Sequence, residues 1–148
     1  MSSRVFVDTN VFIYARDRRV SDKQPHAELW LRALGARRAG VVSPQIAAEF
    51  LNVIARGRLT LDEPALRTTM ALIERWSVGE TSLALVAEGW RLRKETGFQF
   101  WDCVILASAI RAGCRYLLSE DYQTGRTIGG VTIISPFATD PTILDQTR

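Results

Sequence analysis

Histidine is nearly absent: the 148-residue chain holds one, His26, together with only two cysteines, Cys103 and Cys114. A single imidazole and two thiols without close spacing exclude a His-based zinc site and a zinc ribbon. The two cysteines are expected on one helix, where a rise of about 1.5 Å per residue holds them about 16 Å apart, beyond disulfide reach. Both therefore read as reduced core residues. No apolar run approaches the roughly 20 residues that cross a bilayer, and Met1-Ser2-Ser3-Arg4 running straight into Val5-Phe6-Val7 leaves no room for a signal peptide. The expectation is a cytoplasmic protein with no membrane partner. Lysine is as scarce as cysteine: only Lys23 and Lys94 stand among 19 basic residues, against 16 acidic ones, for a net charge of +3. The arginine excess suits phosphate-bearing partners and equally suits a solvated surface, so position must decide.

What is present is an ordinary globular composition, 47% hydrophobic and 24% charged, at a length that fits one domain over residues 1–148. Arg4 to Val7 reads as a buried first strand that stops at Asp8-Thr9-Asn10, followed by a short helix over about Val11–Ala15. Pro25 opens a helix with Trp30 and Leu34 on its apolar side. Val41-Val42 is a brief strand, and Ser43-Pro44 places an N-cap before a proline at the first helical position, with Gly57 as the stop. Further helices are expected from Asp62-Glu63-Pro64 to about Trp76, from about Ser82 to Lys94, and from Phe100 to Ala112, the last apolar on nearly all sides. Tyr116–Ser119 and Val131–Ile134 close the list as strands. Short apolar strands separated by long helices predict an α/β fold, three layers α/β/α around a mainly parallel sheet. In such sheets ligands bind beyond the carboxyl ends of the strands.

Two acids stand there, Asp8 after the first strand and Asp121 after Tyr116–Ser119, and parallel strands bring both to one sheet edge. Glu49 neighbours Ile46, Phe50 and Val53 on its helix, and Asp102 sits in the first turn of the most apolar helix, in line with Ile105, Leu106 and Ala109. Each has a purely structural alternative: a helix cap for Asp8, a turn for Asp121, a stem on the core with its head in water for Glu49, dipole stabilisation for Asp102. If the four converge, their repulsion raises pKa values or splays the site unless a cation intervenes. All-oxygen donors favour a hard ion, Mg²⁺ or Mn²⁺, completed by waters and substrate phosphates.

Val7-Asp8-Thr9-Asn10, Ser43-Pro44 leading to Ala48-Glu49-Phe50, Trp101 to Ala107, and Leu118-Ser119-Glu120-Asp121 resemble, in order and spacing, the motifs of PIN-domain proteins of the compact VapC toxin type. The resemblance spans Val5 to Phe137. It implies a metal-dependent ribonuclease, the toxin of a bacterial toxin–antitoxin pair that inhibits translation, with Asp8, Glu49, Asp102 and Asp121 at the four acidic positions. Asp8 is then the central ligand, Asp102 and Asp121 direct or water-mediated ligands, and Glu49 a ligand or water-orienting base. Thr9, Asn10 and Ser119 match neighbouring polar positions that orient carboxylates or bound water. Where the family often carries another acid or Asn after the fourth carboxylate, this chain has Gln123 and Thr124. Glu120 is expected to be solvated.

An acidic site needs basic residues to draw in RNA, and Arg16, Arg18 and Arg19 are the best-placed candidates, with Arg56 and Arg58 second. Tyr14, Phe98 and Trp101 are candidates for stacking on bases or for the core. Trp30, Leu34, Leu59 and Leu61 are candidates for an apolar homodimer face, and the resemblance implies both self-association and capture by a cognate antitoxin. The rival from another class is a catalytically silent module of the same fold that binds RNA or protein. A flavodoxin-like or receiver domain is poorer, because no lysine stands at the strand end such domains use.

Overall fold

Val5, Phe6 and Val7 form β1 (Val5–Val7), and all three side chains are fully buried. A strand apolar at every position is what a sheet covered on both faces requires. The computed structural model describes residues 3–146; Met1 and Ser2, on which the signal-peptide expectation partly rests, lie outside the described residues. After β1 come α1 (Thr9–Arg16), α2 (Gln24–Arg37), β2 (Gly40–Val41), α3 (Pro44–Ala55), α4 (Glu63–Trp76), α5 (Leu83–Thr96) and α6 (Phe100–Arg111). The chain then returns to the sheet as β3 (Tyr116–Leu118), β4 (Thr127–Ile128) and β5 (Val131–Ile134), and a 3₁₀ turn spans Pro141–Asp145.

The sheet order is β2-β1-β3-β5-β4, with β1 parallel to β2 and β3, β3 parallel to β5, and β4 antiparallel to β5. Helices flank it in an α/β/α arrangement. Val7 pairs with Leu118, so the next residue of each strand, Asp8 and Ser119, emerges side by side at the carboxyl edge. Backbone bonds continue one step past the strands there: Asp8 N–H donates to Leu118 O at 3.0 Å and Ser119 N–H to Ile134 O at 3.0 Å. Phe6, Phe12, Trp30, Phe50, Leu106, Leu117 and Ile133 fill the core around this sheet, each worth roughly 1.5–3 kcal/mol of burial.

Local chemistry starts the helices where the sequence predicts. Asp62 accepts from Ala65 N–H at 2.8 Å and Ser82 accepts from Leu85 N–H at 3.1 Å, each capping its helix. Ser43 has the extended cap conformation before Pro44, but its hydroxyl makes no capping bond and is buried without a partner among the described residues. Gly89 lets α5 lie close against α6, since a Cβ there would come within 2.8 Å of Val104 Cγ2 and 3.1 Å of Val104 Cα. That close approach sets the position of α6 and of the Asp102 in its first turn.

Several expectations are corrected. Trp30 and Leu34 are not a dimer face: they are 1% and 0% exposed, and the Trp30 indole donates to Thr139 O at 3.0 Å. Leu59 is buried and Leu61 packs against the same core. The chain from Thr139 to the 3₁₀ turn covers what periodicity alone reads as an open apolar stripe. Cys114 lies past the end of α6 rather than on it, and both cysteines are buried and free. β4 carries no hydrophobic run and is made by the Gly129-Gly130 hairpin that pairs it with β5. No helix among the described residues is long and apolar enough to cross a membrane.

Candidate active site

Asp8 ends β1 and begins α1, and both roles follow from its conformation: extended backbone, with one carboxylate oxygen accepting the Thr9 N–H at 2.8 Å. The helix-cap alternative is therefore true and does not exhaust its contacts. Its other oxygen accepts the Ser119 hydroxyl at 2.7 Å, across the β1–β3 register. Asp8 is 4% exposed, and its pKa is pushed up from 3.8 to about 7: burial is the main cause, the Glu49 and Asp121 charges add to it, and the Ser119 and Thr9 bonds oppose it.

Asn10 joins the two strand ends. Its Nδ2 group faces Asp121 Oδ2 at 3.0 Å, Ser119 Oγ at 3.2 Å and Asp8 Oδ2 at 3.4 Å. Ser119 in turn accepts the Asp121 N–H at 3.1 Å, holding the loop that carries the exposed Asp121. Glu49 enters from α3, half-buried, with both oxygens engaged: Oε2 accepts the Thr9 hydroxyl at 2.6 Å and Oε1 accepts Gln45 Nε2 at 2.8 Å. Asp102 comes from the first turn of α6, whose backbone is tied to the same place by Tyr122 Oη donating to Asp102 O at 2.8 Å. The Asp102 carboxyl is pushed up from 3.8 to about 6, by burial first and then by Asp121 and Glu49.

Asp8, Glu49, Asp102 and Asp121 thus stand at one end of the sheet, near enough to repel one another. Thr9, Asn10 and Ser119 contact them directly. Among the described residues, however, no group of three or more His, Cys, Asp and Glu side chains is gathered tightly enough to hold a metal ion as it stands. Repulsion between like charges and the separate tethers on Glu49 and Asp121 account for that splay. The donor chemistry nonetheless fits a hard divalent cation. The donors are all oxygen, and the Oδ1 of Asn10, a residue in contact with two of them, is buried with no hydrogen-bond partner among the described residues, an acceptor open to a bound water.

Sequence reading missed Gln45, Tyr122 and Lys23. Gln45 lies four residues before Glu49 on α3, a spacing that signals contact, and also donates to Trp101 O at 3.3 Å. Lys23 pairs with Glu120, so Glu120 is not simply solvated, and its ammonium lies 4.8 Å from the Tyr14 ring centroid and 5.3 Å from that of Phe137. Nothing local in sequence announces either contact.

The arginine candidates are elsewhere. Arg16, Arg18 and Arg19 lie at and just past the far end of α1, whose eight residues span about 12 Å. Arg16 bonds Thr69 Oγ1 at 2.9 Å and Glu28 Oε2 at 3.0 Å, and Arg19 grips Asp17 at 2.8 and 2.9 Å and reaches Arg58 O. Arg18 is exposed. With Arg58 they border an open groove that includes none of the four acids. Of the aromatic candidates, Tyr14 and Phe98 pack edge-on against Phe137 and Tyr122, while Trp101 is 58% exposed.

The model of the PIN domain family matches residues 5–128. None of the curated proteins matches the sequence. Solved structures do: a toxin–antitoxin complex from Klebsiella pneumoniae has a TM-score of 0.61 at 23% identity, covering 90% of this chain and 98% of that one. VapBC2 from Rickettsia felis, bound to a DNA fragment from its promoter, has a TM-score of 0.59 at 15% identity, covering 88% and 97%. Mycobacterium tuberculosis VapC20, a sarcin–ricin loop cleaving toxin, has a TM-score of 0.57 at 17% identity, covering 79% and 91%. At these identities the likeness establishes the fold.

Proposed function

Because this chain belongs to the PIN domain family, we propose that it is a metal-dependent endoribonuclease, the toxin of a toxin–antitoxin pair that stops translation by cutting RNA. The observation that carries this reading is the network at the sheet edge, in which Asn10 and Ser119 link Asp8 to Asp121, residues from opposite ends of the chain. Structural needs alone do not call for four carboxylates in one place, two of them pushed up toward neutrality.

Asp8, Asp102 and Asp121 are the residues that would hold Mg²⁺ or Mn²⁺. A bound divalent cation supplies charge neutralisation at the phosphate and lowers the pKa of an attacking water. The protein's own part is orientation. Thr9 and Gln45 fix both oxygens of Glu49 so that it can align a water and accept its proton, and Ser119 and Thr9 N–H hold Asp8 in one rotamer. Hydrolysis of this kind makes no use of the 2′-hydroxyl as nucleophile, so the preference for RNA follows from the family rather than from the chemistry.

The likeness to toxin–antitoxin complexes supports a cognate antitoxin as partner, and a homodimer and a cytoplasmic site of action belong to the same reading. Arg18, with Arg16 and Arg19 once released from their carboxylate partners, would contact RNA away from the cut. The alternative is a catalytically silent binding module of the same fold. The test is cleavage of single-stranded RNA in Mg²⁺ and Mn²⁺ by wild type, Asp8→Asn and Asp102→Asn. Loss of cleavage in both folded variants supports the nuclease; wild-type cleavage persisting in excess chelator refutes the metal, and tight RNA binding without turnover in either ion supports the module.

A further inference from the structure

Beside Asp102 and Asp121 lies an open cleft of about 430 Å³ whose remaining walls come from Gly97, Phe98, Gln99, Tyr122 and Gln123. Its size is that of a small-molecule subsite, and its lining divides into a flat apolar wall and a polar mouth. The wall is the half-buried Phe98 ring, held edge-on by Tyr122 with centroids 5.4 Å apart and with the Arg126 guanidinium 5.1 Å from its centroid. The mouth is a pair of amides. Gln99 and Gln123 are both exposed, and among the described residues neither side chain takes part in a hydrogen bond; Gln99 occupies the N-cap position of α6 without capping it.

A glutamine that neither caps a helix nor pairs with its surroundings has a donor and an acceptor to offer, and an amide can bond both at once to the edge of adenine. Asp102 and Asp121 are assigned to the cation, so the choice of base falls to the two amides. An aromatic wall suits an unstacked base of single-stranded RNA. We infer that this cleft is a nucleobase subsite of the proposed ribonuclease, preferring adenine over uracil. The inference rests on the ribonuclease reading for its substrate, and it assigns Gln99 and Gln123 as the residues that determine specificity.

The test is a fluorescence-anisotropy titration, in EDTA to withhold the proposed metal, of labelled hexauridylate and of the same hexamer with one inner adenine. Wild type is expected to bind the adenine-bearing RNA about tenfold more tightly. Gln99→Ala and Gln123→Ala, both at exposed positions, are expected to lose most of that ratio while keeping their affinity for hexauridylate. Equal affinities in wild type, binding of neither hexamer, or a ratio that survives both substitutions overturns the subsite. Cleavage in Mg²⁺ by the same proteins separates the two levels. No cleavage by wild type sinks the nuclease and leaves the binding ratio standing, whereas cleavage with an unchanged base preference in both variants sinks the subsite alone.

Discussion

The Thr9 hydroxyl donates to Glu49 Oε2 at 2.6 Å, joining the first turn of α1 to the middle of α3 across 40 residues of chain. Thr9 is buried, and its hydroxyl is the partner that fixes one oxygen of the half-buried Glu49. Thr9→Val keeps the shape and removes the donor. RNA cleavage is expected to fall about 10- to 100-fold, the usual effect of losing a group that orients a site carboxylate, with a stability change of about 1 kcal/mol. Thr9→Ser should restore activity. Cleavage rates and urea unfolding of the three proteins check this, and an unchanged rate in Thr9→Val would show that Glu49 needs no such support.

Asp8 and Asp102 titrate in the folded protein at about 7 and about 6, against 3.8 for an ordinary aspartate. A carboxyl raised in this way binds its proton more tightly folded than unfolded. Its stabilisation is complete below about pH 4 and is lost as pH rises through 6 and 7. Without divalent cation, unfolding free energy, and Tm with it, is therefore expected to fall between about pH 4 and 7, by on the order of a few kcal/mol, mostly from the buried Asp8. Asp8→Asn should flatten the slope, and Mg²⁺ should raise Tm more at pH 8 than at pH 5, since it binds the ionised form. Equal Mg²⁺ shifts at both pH values would count against the carboxylates as its ligands.

Gly89 has no room for a side chain, a Cβ meeting Val104 Cγ2 at 2.8 Å. Gly89→Ala is expected to cost about 1–3 kcal/mol through overpacking, even though alanine is the better helix former by about 1 kcal/mol. Thermal unfolding decides which effect wins. A stabilised variant would mean that α5 and α6 can part at little cost.

Trp30 is a core residue whose indole bonds the chain at Thr139. Trp30→Ala should cost about 3–5 kcal/mol, measured by urea unfolding, and the milder Trp30→Phe should lose stability without changing the elution volume on gel filtration. A changed oligomeric state at unchanged stability would restore Trp30 to an interface.

The cap at Asp62, the strand at Val5–Val7 and the acid that follows it could be read from the sequence because their causes lie within a few residues: a side chain bonding its own helix, an apolar run, a turn-former. The four acids could be singled out for the same reason, each breaking a local pattern. What the sequence could not supply was which of them share a partner. Asn10 meets Asp121 only because β1 lies next to β3 in the order β2-β1-β3-β5-β4. Trp30 is covered only because the chain after β5 folds back over α2, and Arg16 and Arg19 spend their charge on Glu28 and Asp17. Periodicity and charge are properties of a segment, whereas pairing, burial and the splay of the carboxylates arise between segments. Those were settled only when strand register, helix packing and mutual repulsion acted together in the folded chain.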